Sequence, residues 1–194
     1  MNRSLFRIAA LTLSASIGAL AGPPLICERI EIGNAKSLPW NAGNNWDGSK
    51  ADYKVSRLTA DTMALLTPGA PLNLRMETMR RAAIYAARHE GAAADITSQL
   101  LARMANAEAS GKPDPLAWFD AGYFTETLRQ VTFIYRYNML SAEEKTRWKL
   151  RGETLGLDGR AWIEKAIRLG GRGMEVVIPK IEDYRQADLK LAQR

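Results

Sequence analysis

The chain contains a single cysteine and a single histidine among its 194 residues, and both scarcities limit its chemistry. One cysteine cannot form an intramolecular disulfide, so Cys27 is interpreted as a small apolar residue, with an intermolecular disulfide as the alternative. The lone His89 excludes the usual histidine-based metal clusters and Cys–His nucleophile pairs. Its place between Arg88 and Gly91 is typical of the last turn of a helix. We therefore predict no metal site.

Sequence motifs of cofactor-dependent and metal-dependent enzymes are also missing. The chain has no glycine-rich phosphate loop, no GxSxG elbow, no HExxH helix and no CxxC pair. These absences weigh against most cofactor-dependent and metal-dependent hydrolytic enzymes, and they favour a non-catalytic interaction module. We accordingly predict no cofactor.

Basic residues outnumber acidic residues only slightly. Hydrophobic residues make up 46% and charged residues 25% of the chain, as in ordinary globular proteins. The formal net charge is +6, and the basic residues are scattered among Asp and Glu rather than clustered with aromatic residues. A nucleic-acid-binding face needs such a cluster. We therefore expect a solvated surface and no nucleic-acid partner.

A hydrophobic run long enough to span a bilayer is absent as well, because the uncharged apolar segment at residues 8–21 is too short. This segment follows Arg3 and Arg7 and ends with the small residues Ala19 and Ala21, which is the layout of a secretory signal peptide, residues 1–21. We predict cleavage after Ala21 and a periplasmic or secreted mature chain that meets the membrane only during export. The alternative is an uncleaved N-terminal helix buried in the fold.

Two regions are predicted in the rest of the chain. Residues 22–57 are rich in Gly, Asn and turn-forming residues and are interpreted as an irregular arm, ordered because Trp40 and Trp46 need a packing site. Residues 58–194 show helical periodicity, so an all-α domain of antiparallel helical hairpins is expected. Predicted helices cover about residues 73–89, 92–110 and 115–137, with shorter ones near 59–66, 141–151, 159–169 and from 179 onward.

Two helix starts resemble each other across an offset of 44 residues. DPLAWFDAGY at residues 114–123 and DGRAWIEKAI at residues 158–167 share a capping Asp and an Ala-Trp pair at the same spacing. A period of this size is typical of stacked helical hairpins, so a short repeat or solenoid-like arrangement is predicted, with Trp118 and Trp162 in the core. The alternative is two helices that share only a cap and a tryptophan.

Three segments of the chain carry a family resemblance. LICERIEIGNAKSLPW, RRAAIYA and DPLAWFDAGY resemble segments of uncharacterised exported bacterial proteins. The predicted hairpins are also similar to tetratricopeptide-type repeats, although the Gly-Tyr spacing usual in that family is not reproduced. The resemblance implies a helical architecture and no particular activity, so no functional residue follows from it.

A polar stripe on the longest predicted helix is the candidate binding site. Asp120, Tyr123, Thr127 and Gln130 recur at helical spacing, so a carboxylate, a phenol, a hydroxyl and an amide point the same way. They are interpreted either as the lining of a groove or as a polar seam between helices, where buried polar groups are normally paired.

The sequence favours an exported, non-catalytic protein- or peptide-interaction module in the cell envelope, and it leaves the oligomeric state open. The alternative is a cell-wall glycan hydrolase or transglycosylase in which Asp120 or Glu126 acts as a general acid. Glycoside cleavage needs two carboxyl groups across one site, and no second carboxylate is fixed by spacing, so no catalytic residue is assigned. The two functions differ in whether Asp120 and Glu126 face an open concavity with another carboxylate or lie buried between helices.

Overall fold

The computed structural model describes residues 23–41, 43, 46–137, 139–147, 149 and 156–193. The predicted signal peptide and its cleavage site lie outside the described residues. Over these ranges the chain forms eight α-helices and two short 3₁₀ turns, with no β-strand, which confirms the predicted all-α fold class. No helix in the same ranges is both long enough and apolar enough to cross a membrane.

The two 3₁₀ turns, Val55–Arg57 and Met174–Val177, lead directly into the second and the last helix. The helices are α1 (Pro24–Cys27), α2 (Leu58–Leu65), α3 (Leu72–Ala86), α4 (Ala92–Ala109), α5 (Pro115–Arg136), α6 (Ala142–Arg147), α7 (Gly159–Arg168) and α8 (Ile178–Ala192). The predicted helices correspond to α2–α8, whereas α1 was not predicted.

His89 lies in the turn after α3 and not in its last turn, so that prediction is wrong. The backbone N–H groups of Arg88 and His89 donate to the carbonyl oxygens of Tyr85 and Ala86, which tightens the chain into a turn at the end of the helix. Gly91, with φ of 79°, then turns the chain into α4 in a backbone conformation that suits glycine. His89 is exposed at this corner.

Helix α5 runs through the centre of the fold. Its start was predicted correctly: the Asp114 carboxylate accepts a hydrogen bond from Ala117 N at 3.1 Å, and Pro115 occupies the first turn. Within residues 117–134 only Trp118 and Arg129 are less than fully buried. A helix covered on all sides belongs to the core, and here α3, α4 and α7 pack against it while α1 and α8 also contact it.

Helix α7 packs directly on α5, and its start was also predicted. The Asp158 carboxylate accepts a hydrogen bond from Ala161 N at 3.3 Å, as Asp114 does for Ala117. The matching caps of the two segments are therefore present. The repeat or solenoid-like arrangement stays a prediction, because matching helix starts do not by themselves define a repeating unit.

Trp118 and Trp162 are only partly buried, so their prediction as core residues is wrong in degree. Both pack against the edge of the hydrophobic core without entering it. Lys165 places its ammonium nitrogen 3.7 Å from the centre of the Trp118 ring, and this cation covers the outer face of the indole. The fully buried ring at this level of α5 belongs to the next residue, Phe119.

The name N-terminal arm is used here for residues 23–54, and those of them that the structure describes are irregular apart from α1 and an isolated bridge between Trp40 and Ser49. It buries Leu25, Ile26 and Leu38 in the core. The rest of the arm lies along α3, where polar side chains of the helix hold its backbone. The arm is therefore part of the packed structure, as Trp40 and Trp46 suggested.

Candidate functional site

The four residues of the predicted polar stripe lie in the interior of the fold. Asp120, Tyr123, Thr127 and Gln130 are each at most 1% exposed. A groove lined by these side chains is therefore not open to solvent in this structure. The residues do share one helix and one general direction, as their spacing indicated.

Their polar groups bind neighbouring protein groups. Thr127 donates its hydroxyl proton to Tyr123 O at 2.7 Å, one turn earlier in α5. Gln130 accepts a hydrogen bond on Oε1 from Leu25 N at 2.7 Å and so ties α1 to α5. Burial raises the pKa of Tyr123 above its ordinary range, so the phenol stays protonated. The Gln130 bond joins two helices, the Thr127 bond stays within α5, and Gln130 Nε2 and Asp120 Oδ1 are buried without a hydrogen-bond partner in the described residues. Because all four side chains are buried, none of them offers a surface to a ligand.

Asp120 forms a buried ion pair with Arg75 of α3. Arg75 Nη1 lies 2.5 Å from Asp120 Oδ2, and both side chains are 0% exposed. Arg103 of α4 approaches the same oxygen at 3.5 Å. Burial raises the pKa of Asp120 to about 6, and the two arginines oppose this shift only in part. The pair joins α3, α4 and α5 at one point.

Glu126 is the buried member of a second cluster of charged side chains, between α5, α7 and α8. Its Oε1 accepts hydrogen bonds from Arg160 N at 3.1 Å and from Arg185 Nη2 at 2.8 Å, and the side chain is 0% exposed. Arg185 also donates to Asp158 Oδ1 at 3.1 Å. Burial alone would raise the pKa of Asp158, but the Arg185 hydrogen bond lowers it below its usual value. Asp158 is therefore ionised and poorly suited to act as a general acid.

Asp120 and Glu126 thus lie buried between helices and are bound by arginines. A carboxyl group that protonates or attacks a glycan must reach the glycosidic bond. A shallow depression of about 400 Å³ does lie near Glu126, but arginine and aspartate side chains that already bind each other line much of it. This arrangement weighs against a glycan hydrolase that uses these two residues.

Sequence analysis missed a dense set of hydrogen bonds between α3 and the arm. Glu77, 1% exposed, accepts hydrogen bonds from Arg80 Nε at 2.7 Å and from Arg81 Nε at 2.8 Å. It also accepts one from Ile30 N in the arm at 3.2 Å. Burial alone would raise the pKa of Glu77, but the two arginines outweigh it and lower the pKa.

The two arginines also donate hydrogen bonds to backbone carbonyl groups of the arm. Arg80 donates to Ile26 O and Trp46 O, each at 2.9 Å, and Arg81 donates to Leu38 O at 2.7 Å. Both guanidinium groups also lie near the Trp40 ring, with their carbon atoms 5.1 and 5.4 Å from its centre. The Glu77–Arg81 spacing is visible in the sequence as an i, i+4 pair, but its role in holding the arm is not.

Tyr85 completes this contact near the open surface. Its hydroxyl donates to Pro39 O at 2.6 Å and accepts from Lys50 N at 2.9 Å, so one phenol joins two separate stretches of the arm. The Tyr53 ring lies 4.7 Å from the Tyr85 ring, centre to centre, and the Trp40 ring lies 5.8 Å away, edge on.

An open depression of about 450 Å³ lies beside this aromatic cluster, where the arm meets α2. We call it the arm depression, and its lining residues are Pro39, Lys50, Asp52, Tyr53, Lys54, Arg57 and Asp61. It is larger than the depression near Glu126 and than a third one, of about 190 Å³, beside Trp118. It combines exposed charges with an aromatic ring that the protein holds in place.

Groups suited to metal binding or redox chemistry are few in the described ranges. No group of three or more His, Cys, Asp and Glu side chains in these ranges could hold a metal ion. Cys27 is a free, half-buried thiol whose pKa burial raises to about 11, so it stays protonated at neutral pH. Comparison of the chain with protein-family models, curated proteins and solved structures found no match.

Proposed function

We propose that this chain is a non-catalytic protein- or peptide-interaction module of the cell envelope. The observation that carries the proposal is the arm depression, an open surface of about 450 Å³ with exposed charged side chains around an aromatic ring. The carboxylates considered for acid–base chemistry, Asp120 and Glu126, are by contrast buried and arginine-bound. The side chains exposed in the arm depression therefore suit the binding of a partner better than the cleavage of a bond.

The way the arm is held supports binding through a preformed surface. Tyr85 of α3 bonds to Pro39 O and Lys50 N, two residues that line the depression, so the surface is held by the protein itself. Glu77, Arg80 and Arg81 of the same helix bond to other residues of the arm. A preformed site loses less conformational entropy on binding than a flexible one. Tyr53 suits such a site because its ring offers contact area at the cost of few rotatable bonds.

Export to the envelope is part of the same proposal. It is supported by Arg3 and Arg7 ahead of an apolar segment that ends with the small residues Ala19 and Ala21. Intact-mass measurement of the protein recovered from the envelope fraction should give a chain that begins at Gly22. A mature species that keeps Met1 would contradict cleavage.

Binding is tested by capture followed by reconstitution. The mature chain, tagged at its C-terminus, is used as bait in the envelope fraction, and each captured protein is then purified and titrated against it. We expect at least one partner to bind saturably to the folded chain and not to the urea-unfolded chain. Failure of every purified candidate to bind would contradict the proposal.

The hydrolase alternative is tested on the same preparations. Purified cell-wall glycan is incubated with the mature chain and with the Glu126→Gln and Asp120→Asn variants, and soluble fragments are measured by mass spectrometry. We expect no release above the level of a heat-inactivated sample. Release that either variant abolishes, with its helical circular dichroism intact, would replace the binding function with an enzymatic one.

A further inference from the structure

We infer that the arm depression binds an acidic peptide segment of a partner protein. This inference rests on the proposed interaction function and assigns it a surface and a partner chemistry.

The two aspartates of the depression are not equivalent. Asp61 accepts a hydrogen bond from the Tyr53 hydroxyl at 2.8 Å and pairs with Arg57 at 3.2 Å. Its charge is therefore already matched within the protein. Asp52 is exposed and makes no ion pair within the described parts of the chain.

Two lysines of the depression are free to pair with a ligand. Lys50 and Lys54 are exposed, and neither ammonium group pairs with a carboxylate in the described residues. Two ammonium groups then stand against the one unpaired carboxylate of Asp52. The local excess is positive, and it complements carboxylates brought by a partner.

An apolar contact lies between these charges. Pro39 and the Tyr53 ring both line the depression. Tyr85 holds them, because its hydroxyl bonds to Pro39 O and Lys50 N while its ring contacts Tyr53. A peptide can therefore place an apolar side chain on the Tyr53 ring and acidic side chains near Lys50 and Lys54.

The modest size of the positive excess favours a peptide over a polyanion. Nucleic acids are bound by a series of cations that neutralise successive phosphates. Anionic membranes attract clusters of several basic residues. Here Asp52 and Asp61 lie among three cations, so the excess is too small to neutralise a dense row of negative charges but is enough to pair with isolated carboxylates.

The test uses a synthetic fluorescein-labelled peptide in which glutamates flank a central leucine, with a glutamine-for-glutamate peptide as the matched probe. Fluorescence anisotropy measures the binding of each peptide to the mature chain at low and high salt. The variant is Lys50→Glu with Lys54→Glu. Its control is Lys36→Glu with Lys190→Glu, because these two exposed lysines also lack an ion pair in the described residues and give the same change in net charge.

We expect the acidic peptide to bind the wild type and the control, and to bind the Lys50/Lys54 double variant at least about tenfold more weakly, since each exposed ion pair is weak but both are reversed. Added salt should weaken binding. Asp52→Asn should strengthen it by a few fold, because that change removes the unpaired carboxylate. Circular dichroism checks that all variants are folded.

Four results would overturn the inference: no binding of the acidic peptide to the wild type, equal binding of the two peptides, equal loss in variant and control, or preferential binding of phosphatidylglycerol vesicles or of an oligonucleotide. The proposed function is judged separately by the partner found through capture. If that partner binds the Lys50/Lys54 double variant as well as the wild type, the interaction function stands and the arm depression is not its site.

Discussion

Gly122 of α5 and Gly159 of α7 face each other at the point where the two helices touch. A Cβ atom placed on Gly122 would lie 2.6 Å from Gly159 O, and one placed on Gly159 would lie 2.5 Å from Gly122 O. Only glycine leaves room for two backbones at this distance. The close approach brings α7 against the Glu126 cluster and sets how deeply α7 can pack on the central helix.

Gly122→Ala should destabilise the protein although alanine is the better helix former. The intrinsic gain is about 1 kcal/mol, whereas forcing a methyl group against the Gly159 carbonyl should cost about 1–3 kcal/mol or more. Urea unfolding followed by circular dichroism measures the free energy of unfolding. Gly69→Ala is the control, because a Cβ there meets nothing within 4 Å. Equal stability of the two variants would contradict the close contact.

Arg75→Met should be strongly destabilising at pH 7. The methionine fills most of the arginine volume but leaves the buried Asp120 carboxylate with only the partly exposed Arg103, 3.5 Å away, which should cost about 3–5 kcal/mol. Arg147→Met is the matched control, because its pair with Glu143 is solvent-exposed and should contribute less than about 1 kcal/mol. The loss of unfolding free energy caused by Arg75→Met should become smaller in acid, because Asp120 is then protonated and needs no ion pair. A loss that does not change with pH would argue against this mechanism.

Asp120 should also make the stability of the wild type depend on pH. Burial raises its pKa from 3.8 to about 6, so the folded chain holds the proton more tightly than the unfolded chain. The contribution of Asp120 to the free energy of unfolding therefore falls as pH rises from about 4 to about 6, by on the order of 2–3 kcal/mol, and is constant outside that window. The free energy of unfolding is measured for wild type and for Asp120→Asn across this pH range, and the difference between the two is compared with pH. A flat difference would contradict the raised pKa.

Tyr85→Phe should loosen the arm without disturbing the helices. The change removes one hydroxyl group and leaves Pro39 O and Lys50 N without their partner, which should cost about 1–3 kcal/mol. Hydrogen exchange measured by mass spectrometry should show faster exchange at Lys50 and unchanged exchange in α5. Tyr135→Phe serves as the control, because the Tyr135 hydroxyl bonds to no group in the described residues. If both variants exchange alike at Lys50, the phenol does not hold the arm.

Local sequence patterns predicted the helices and their starts well. Asp114 before Pro115, and Asp158 before Gly159, were recognised as caps because a capping bond joins residues only three apart. The end of α3 was less accurate, since Ala87 and Arg88 are compatible with a helix and only the turn that leads into Gly91 stops it. Capping patterns involve residues only a few positions apart, so they predict where a helix begins better than how helices pack.

The candidate site depended on contacts that sequence spacing does not contain. The stripe of Asp120 and Gln130 was placed on one helix face, but its burial follows from Arg75, 45 residues earlier, and from Leu25, 105 residues earlier. The arm contact of Glu77 with Ile30 spans 47 residues and has no periodic pattern. Trp118 is predicted in the core because it occupies the same place as Trp162 in the proposed repeat, but it packs at the edge of the core with Lys165 over its ring.

Helix α1 cannot complete its packing until the last helix, α8, has been synthesised. Leu25 and Ile26 are buried against parts of the chain that include α5 and α8, and Glu28 pairs with Lys180 of α8. Synthesis runs from the N-terminus, so these apolar side chains emerge long before the last helix exists. Until α8 arrives they have no complete burial site and offer an exposed apolar segment to a chaperone. The first described helix is thus among the last to reach its final packing, and a chain arrested before α8 remains open at its beginning.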